Sequence, residues 1–118
     1  MPNPHRGEVA LDAGERSLTL RFDINALCEL EGAVGEPAQV FLAKVQKVGQ
    51  TGLTQLRAIV WAGLRYYHPE LSMRDAGDVI DEAGPRASYA AFVAAINAAF
   101  PDEVKTEKRP RKAAALNR

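Results

Sequence analysis

The chain has 118 residues, of which 47% are hydrophobic and 25% charged, so it can bury one core but not two. Its 15 basic residues balance its 15 acidic ones, and this zero net charge points to no acidic or basic partner. The single cysteine, Cys28, excludes an internal disulfide and fits a reducing compartment. No apolar signal region and no membrane-length apolar run is visible, so we expect a cytoplasmic protein without a membrane partner.

Residues 8 to 22 have the pattern of a β-hairpin, with Gly14 in the turn, where it can take the positive φ of a short loop. Apolar residues alternate with polar or small ones along both predicted strands: Val9, Leu11, Leu18, Leu20 and Phe22. An isolated hairpin is only marginally stable, so its apolar face should pack on helices. Ser17, Thr19 and Arg21 would then face water.

Two helices are predicted next. Asp23 can cap a helix from Ile24 to about Glu31, and Pro37 is suited to the first position of a second helix, which Gly49 ends. One face of the first helix carries Ile24, Leu27, Cys28 and Glu31, with Leu30 at its edge. Helical spacing in the second predicts a buried stripe of Val40, Phe41, Val45 and Val48.

The segment from Leu53 to Tyr67 is predicted to be the central helix of the domain. Its apolar residues recur at the helical period: Leu53, Leu56, Ile59, Val60, Leu64 and Tyr67. Trp61 lies beside this stripe, and a large ring in mid-helix marks a place where other elements pack. The helix should stop near His68, because Pro69 disfavours helical geometry in the residue before it.

Two more helices follow. Ser72 and Asp75 have the spacing of a capping box, which predicts a helix from Met73 to Ala83. Its inward residues are Met73, Ala76, Val79, Ile80 and Ala83. Gly84 and Pro85 end this helix and begin an alanine-rich helix to Phe100, which should bury Tyr89, Phe92, Val93 and Ile96.

These elements predict an α+β fold that is mainly helical, in which the hairpin packs on a bundle of five helices. We expect one globular domain over residues 1–101. Residues 102–118 hold six Lys or Arg against three Asp or Glu and little apolar surface. Such a segment does not offset its ordering entropy by burial, so a flexible basic tail is expected.

Few residues suggest chemistry. His5 and His68 are the only imidazoles, and with Cys28 they do not converge in sequence on a metal site. We interpret the histidines as surface residues beside prolines and Cys28 as a small core residue.

Four carboxylates lie close together in the fourth predicted helix: Asp75, Asp78, Asp81 and Glu82. They suggest acid–base work, but Val79 and Ile80 already define the buried side, which favours a solvated face. No phosphate loop, catalytic triad or dinucleotide fingerprint occurs. The sequence therefore predicts no catalytic, cofactor-binding or metal residues, no cofactor and no enzyme activity.

The basic run Lys108-Arg109-Pro110-Arg111-Lys112 can neutralise phosphates, and binding through it alone would be sensitive to salt and indifferent to base sequence. It contains no aromatic residue for stacking on bases. A solubilising or partner-docking tail is the preferred interpretation, with nucleic-acid binding as the alternative.

Several motifs resemble a known family in their order and spacing. Asn3-Pro4-His5-Arg6-Gly7-Glu8 precedes the hairpin, and Asn25-Ala26-Leu27-Cys28-Glu29-Leu30-Glu31 follows it. Ile59-Val60-Trp61-Ala62-Gly63-Leu64 and Asp81-Glu82-Ala83-Gly84 come later. Together they are similar to the small tail-assembly proteins of gene transfer agents and related prophages, over about residues 3–100.

The resemblance implies a tail assembly chaperone in the bacterial host cell. Such a protein would bind the tape measure protein, keep it soluble and help tail-tube subunits to gather along it, with self-association between copies. The nearest alternative within the family is a structural component of the tail tube. A small nucleic-acid-binding protein acting through its basic tail is the alternative outside it.

Overall fold

The computed structural model describes residues 2–49 and 51–100, which form a hairpin, five α-helices and one short 3₁₀ turn. In chain order these elements are the 3₁₀ turn Pro4–Arg6, β1 Glu8–Ala13, β2 Arg16–Arg21, α1 Ile24–Val34, α2 Ala38–Val48, α3 Leu53–Leu64, α4 Met73–Ala83 and α5 Pro85–Ala99. The predicted α+β fold, with an N-terminal hairpin and five helices, is confirmed. The predicted basic tail, 102–118, lies outside the described residues.

The hairpin is antiparallel, with its pairs running from Ala13↔Arg16 at the turn to Glu8↔Arg21 at the open end. Gly14 is the first of two loop residues and has φ +65°, which suits a type II′ turn. Of the predicted inward side chains, Leu11, Leu18, Leu20 and Phe22 are buried, and Val9 is partly buried against the core. The prediction that Arg21 faces water is wrong, since its side chain is only 14% exposed and packs beside the end of α3.

Phe22 occupies the centre of the core, where two glycines make room for it. Its ring is fully buried and meets the Phe92 ring edge-on, with 5.3 Å between the centroids. A Cβ at Gly63 would lie 2.6 Å from the Phe22 Cζ atom, and one at Gly7 would lie 2.6 Å from the Phe22 carbonyl oxygen. Gly7 also has φ +77°, in the left-handed region. These close approaches fix the end of the hairpin against α3.

Helix α3 is central, as predicted: it packs against α1, α4, α5 and β2. Three details of the prediction are wrong. Leu53 is 69% exposed, and it belongs to a first turn of α3 in which residues 53–55 are all exposed. The helix ends at Leu64 and gives way to turn residues, although the His68 amide still donates to the Leu64 carbonyl. Tyr67 therefore lies beyond the helix and is 43% exposed.

Helix α1 is longer than predicted and is turned differently. It continues through Gly32 to Val34 and is ended by Gly35, which has φ +79°. Ala26 and Leu30 face the core, whereas Ile24 is 65% exposed and Cys28 is also exposed. The predictions of a buried Ile24–Cys28 face and of a core cysteine are therefore wrong, because α3 packs against the adjacent side of α1.

Helix α2 buries only half of its predicted stripe. Phe41 and Val45 are buried, but Val40 and Val48 are 45% and 65% exposed. The reason is that α1 is the one described element that α2 contacts extensively. Pro37 precedes α2 as its N-terminal cap residue rather than as its first helical residue.

The last two helices begin where predicted. Ser72 and Asp75 form the capping box, and the predicted inward residues Ala76, Val79 and Ile80 of α4 are buried. Gly84 joins α4 to α5 with φ +98°, and Pro85 opens α5. Among the residues that the structure describes, none of the helices has the length and apolar character needed to cross a membrane.

Candidate interaction surface

The residues considered for metal binding lie on separate elements. His5 is exposed in the 3₁₀ turn, and Cys28 is exposed on α1. His68 is partly buried, and its Nε2 accepts a hydrogen bond of 3.3 Å from the Thr19 amide on β2. Within residues 2–49 and 51–100, no three or more His, Cys, Asp or Glu side chains are grouped so as to hold a metal ion.

The carboxylates of α4 line one open depression with Arg16, and they differ in exposure and in contacts. Asp78 and Asp81 are exposed, as a solvated face predicts. Asp75 accepts a 2.8 Å hydrogen bond from the Ser72 amide, and this bond holds the pKa of its carboxyl below the usual value. Glu82 lies 3.3 Å from Arg16, which ties the exposed end of the hairpin to α4.

A buried carboxylate that sequence reasoning missed joins the N-terminus to the end of α3. Glu8 is 5% exposed and accepts hydrogen bonds from the Tyr67 hydroxyl at 2.6 Å and from the backbone N–H of Asn3 at 2.9 Å. The hydrogen bond from Tyr67 has the largest effect on the pKa of Glu8 and lowers it, and the bond from Asn3 has the next largest and also lowers it. Together they outweigh burial, which alone would raise this pKa. The same bond to Glu8 raises the pKa of Tyr67. This Glu8 cluster ties the N-terminal segment to the residues that follow α3.

Arg21 completes this cluster from β2. Its guanidinium lies 4.1 Å from the centre of the Tyr66 ring, and its Nε lies 3.2 Å from the Asp23 carboxylate. That contact lacks hydrogen-bond geometry, so the attraction is between charges. Burial is the largest single influence on the pKa of Arg21 and lowers it, but the combined effect of Asp23, Tyr66 and Glu8 is greater, so the pKa is raised. The sequence held two signals for this cluster. The hairpin pairs Glu8 with Arg21, and two adjacent tyrosines, Tyr66 and Tyr67, follow the central helix.

An open trough runs along α1 where this helix meets α3 and the start of α4. The central part of the trough has a volume of about 620 Å³. A further depression adjoins it at each end: the one at the first end shares Asn25 and Glu29 with the central part, and the one at the other end shares Ala33 and Met73. The lining of the central part is Asn25, Cys28, Glu29, Gly32, Ala33, Trp61 and Met73. Small residues on α1 and the large partly buried Trp61 make this α1 trough shallow and largely apolar. At its Asp23 end, Arg65 lies over the Trp61 ring at 5.2 Å.

An exposed ridge of two valines with a lysine between them lies on the neighbouring helix, α2. Val40, Lys44 and Val48 are spaced by four residues, so they share one side of α2, and all three are exposed. We call these three residues the α2 ridge. Leu53, at the start of α3, adds a further exposed apolar side chain after the loop. Single exposed apolar residues are common, but a ridge and a trough on adjacent helices resemble a surface for binding protein.

The described surface is thus that of a small helical protein with a largely apolar trough and an exposed, valine-bearing ridge. The family described as "Phage tail tube protein, GTA-gp10" matches residues 6–101. This match runs from the 3₁₀ turn to the residue after Phe100, and therefore includes the hairpin and all five described helices. The chain belongs to this family, and it is a tail protein of a phage or gene transfer agent.

Comparisons of the chain with curated proteins and with solved structures found no match. The basic run Lys108–Lys112 lies beyond both the family match and the described residues.

Proposed function

We propose that this chain is a structural component of the tail tube and acts through protein–protein contacts without catalysing a reaction. The observation that carries this proposal is the family match over residues 6–101, whose description is a tail tube protein. A tube is made of repeated subunits, so each subunit needs at least one surface that binds another copy. The tail assembly chaperone, the first expectation from the sequence, is less directly supported by that description.

The exposed apolar side chains fit a protein that associates. Four of them lie on α1, on α2 and at the start of α3: Ile24, Val40, Val48 and Leu53, with exposed fractions of 45–69%. Burying apolar area yields roughly 25 cal/mol per Å², so such side chains can stabilise a contact if a partner covers them. Their presence on three consecutive helices gives this part of the chain apolar side chains that an interface can cover.

A chaperone for the tape measure protein is the second candidate, and the α1 trough is the observation that favours it. A helix with an apolar stripe binds by laying that stripe in an apolar groove. The trough has an apolar floor that includes Trp61 and Met73, and a flexible methionine suits varied partners. The chaperone would act in the bacterial cytoplasm before the tail is complete. The nucleic-acid alternative rests on the basic run, outside the described residues, and stays a prediction.

The two candidates differ in where the protein is found. Particles from the producing strain are purified, and the copy number of the chain is measured by quantitative mass spectrometry. A tube component should be present in multiple copies per tail. A chaperone should be absent from finished tails but co-purify from lysates with the tape measure protein.

An Asp78→Asn chain, altered at an exposed carboxylate away from the trough and the ridge, serves as the control for handling and tagging. Absence from both tails and tape measure complexes would refute both candidates.

A further inference from the structure

The two helices that form the trough and the ridge have opposite charge. Within their bounds, α1 carries Glu29 and Glu31 and no basic residue, whereas α2 carries Lys44 and Lys47 and no acidic one. One charge of each pair is used inside the chain. Glu31 accepts a 2.7 Å hydrogen bond from the Ala38 amide, and Lys44 donates to Glu36 at 2.8 Å.

Glu29 and Lys47, the other two charges, are not engaged in this way. Glu29 borders the α1 trough, and Lys47 lies beside Val48 of the α2 ridge; both are exposed. Within the part of the chain that the structure describes, neither has an ion-pair partner. A largely apolar trough bordered by a free negative charge and a ridge with two exposed valines bordered by a free positive charge are complementary surfaces.

These surfaces do not satisfy each other within one chain. Helix α2 packs inward through Phe41 and Val45, whereas Val40, Lys44 and Val48 beside that face are exposed. Helices α1 and α2 each have 11 residues, a length of about 16 Å at 1.5 Å per residue, so one can lie along the full length of the other.

We propose that the α2 ridge of one copy docks in the α1 trough of the next copy, with Lys47 placed against Glu29. This inference rests on the proposed function, because it assumes that copies of the chain assemble. The contact joins two different patches, so it leaves a free trough at one end of any pair and a free ridge at the other. Repetition then produces a ring or an open filament, whereas a self-complementary patch would stop at a dimer.

Charge reversal tests the pairing. Glu29→Lys and Lys47→Glu are made singly and together, and self-association is followed by light scattering and sedimentation at low and physiological salt. Each single change should weaken the association constant by about twofold to tenfold, since it places like charges opposite each other. The double variant restores opposite charges and should recover most of the wild-type association. Equal association of all four proteins would overturn the proposed contact.

Cys28 is a native thiol with which the proposed contact can be tested by cross-linking. It lies in the trough next to Glu29, and Val48 lies on the ridge next to Lys47, so the contact places positions 28 and 48 of two copies close together. A tagged chain carrying Cys28→Ser and Val48→Cys is mixed with wild-type chain under mild oxidation. The mixed disulfide should form at least about tenfold faster than with a matched chain carrying Cys28→Ser and Asp78→Cys, whose new thiol is on exposed α4. Equal rates would overturn the contact.

The outcomes separate the two proposals. If the wild type assembles or is present in tails, and neither charge reversal nor the cross-link behaves as stated, the contact is wrong and the tube role stands on another surface. If the wild type is monomeric in solution but present in tails, the same cross-link is run on tails assembled from the two chains. A chain that is monomeric and absent from tails overturns both proposals.

Discussion

Helices α2 and α3 are similar in length and both carry apolar residues at helical spacing, yet they use them differently. Seven of the 12 residues of α3 are buried, against three of the 11 in α2. The difference arises because α3 is surrounded by α1, α4, α5 and β2, whereas α2 packs extensively on α1 alone. An apolar residue on α3 therefore stabilises the fold, but one on the outer side of α2 is free to stabilise an assembly.

The largest expected difference in unfolding free energy is between alanine variants of two leucines at opposite ends of α3. Leu64 is fully buried and Leu53 is 69% exposed. Leu64→Ala should cost about 2–5 kcal/mol of unfolding free energy, since it removes packed atoms and leaves a cavity. Leu53→Ala should change it by no more than about 0.5 kcal/mol. Chemical denaturation of both variants measures this, and similar losses would contradict the contrast between the two ends.

A second comparison uses glycine. Gly63→Ala in α3 should destabilise by about 1–3 kcal/mol, because its Cβ would lie 2.6 Å from the ring of the fully buried Phe22. Gly32→Ala in α1 meets no atom within 4 Å and should stabilise by about 0.5–1 kcal/mol through helix propensity. Thermal melts of the pair show the sign directly. A neutral Gly63→Ala would mean that Phe22 can move aside at no cost.

The Glu8 cluster that anchors the segment after α3 should make stability depend on pH. The pKa of Glu8 is below its ordinary value of 4.5, so its stabilisation is fully present above that value and is lost as pH falls through the depressed pKa. Glu8→Gln should cost about 1–3 kcal/mol at neutral pH, because the Tyr67 and Asn3 donors lose a charged acceptor.

Denaturation measured from pH 7 to pH 3 tests this. The difference between Glu8→Gln and wild type should shrink below about pH 4.5. Asp78→Asn, at an exposed carboxylate on α4 away from the proposed contact, is the control and should leave stability at neutral pH unchanged within about 0.5 kcal/mol. A difference for Glu8→Gln that stays constant with pH would mean that the carboxylate charge contributes nothing.

Local signals in the sequence predicted the elements well. The Asp23 cap, the Ser72–Asp75 box and the Gly84–Pro85 junction all depend on neighbouring residues, and all three are present. The apolar period predicted the buried centre of α3 for the same reason. These features require no knowledge of where other elements lie.

The parts that were missed depend on distant partners. Periodicity shows that α1 has apolar residues, but the position of α3 decides that Leu30 is buried and Cys28 is not. The bond between Glu8 and Tyr67 joins residues 59 positions apart, beyond the range of any local motif. The α1 trough likewise forms only when α1, α3 and the start of α4 come together.

The smallest effect on stability should come from the α2 ridge, where the comparison with α3 is sharpest. Val45 is 4% exposed and Val48 is 65% exposed, three residues apart on the same helix. Val45→Ser should destabilise the fold by about 1–3 kcal/mol, because it removes buried apolar area and places a hydroxyl in the core. Val48→Ser should change the unfolding free energy by no more than about 0.5 kcal/mol, yet weaken self-association measured by sedimentation. The two measurements together decide the role of α2: if Val48→Ser lowers stability as much as Val45→Ser and leaves association unchanged, the outer side of α2 serves the fold, and the contrast with α3 disappears.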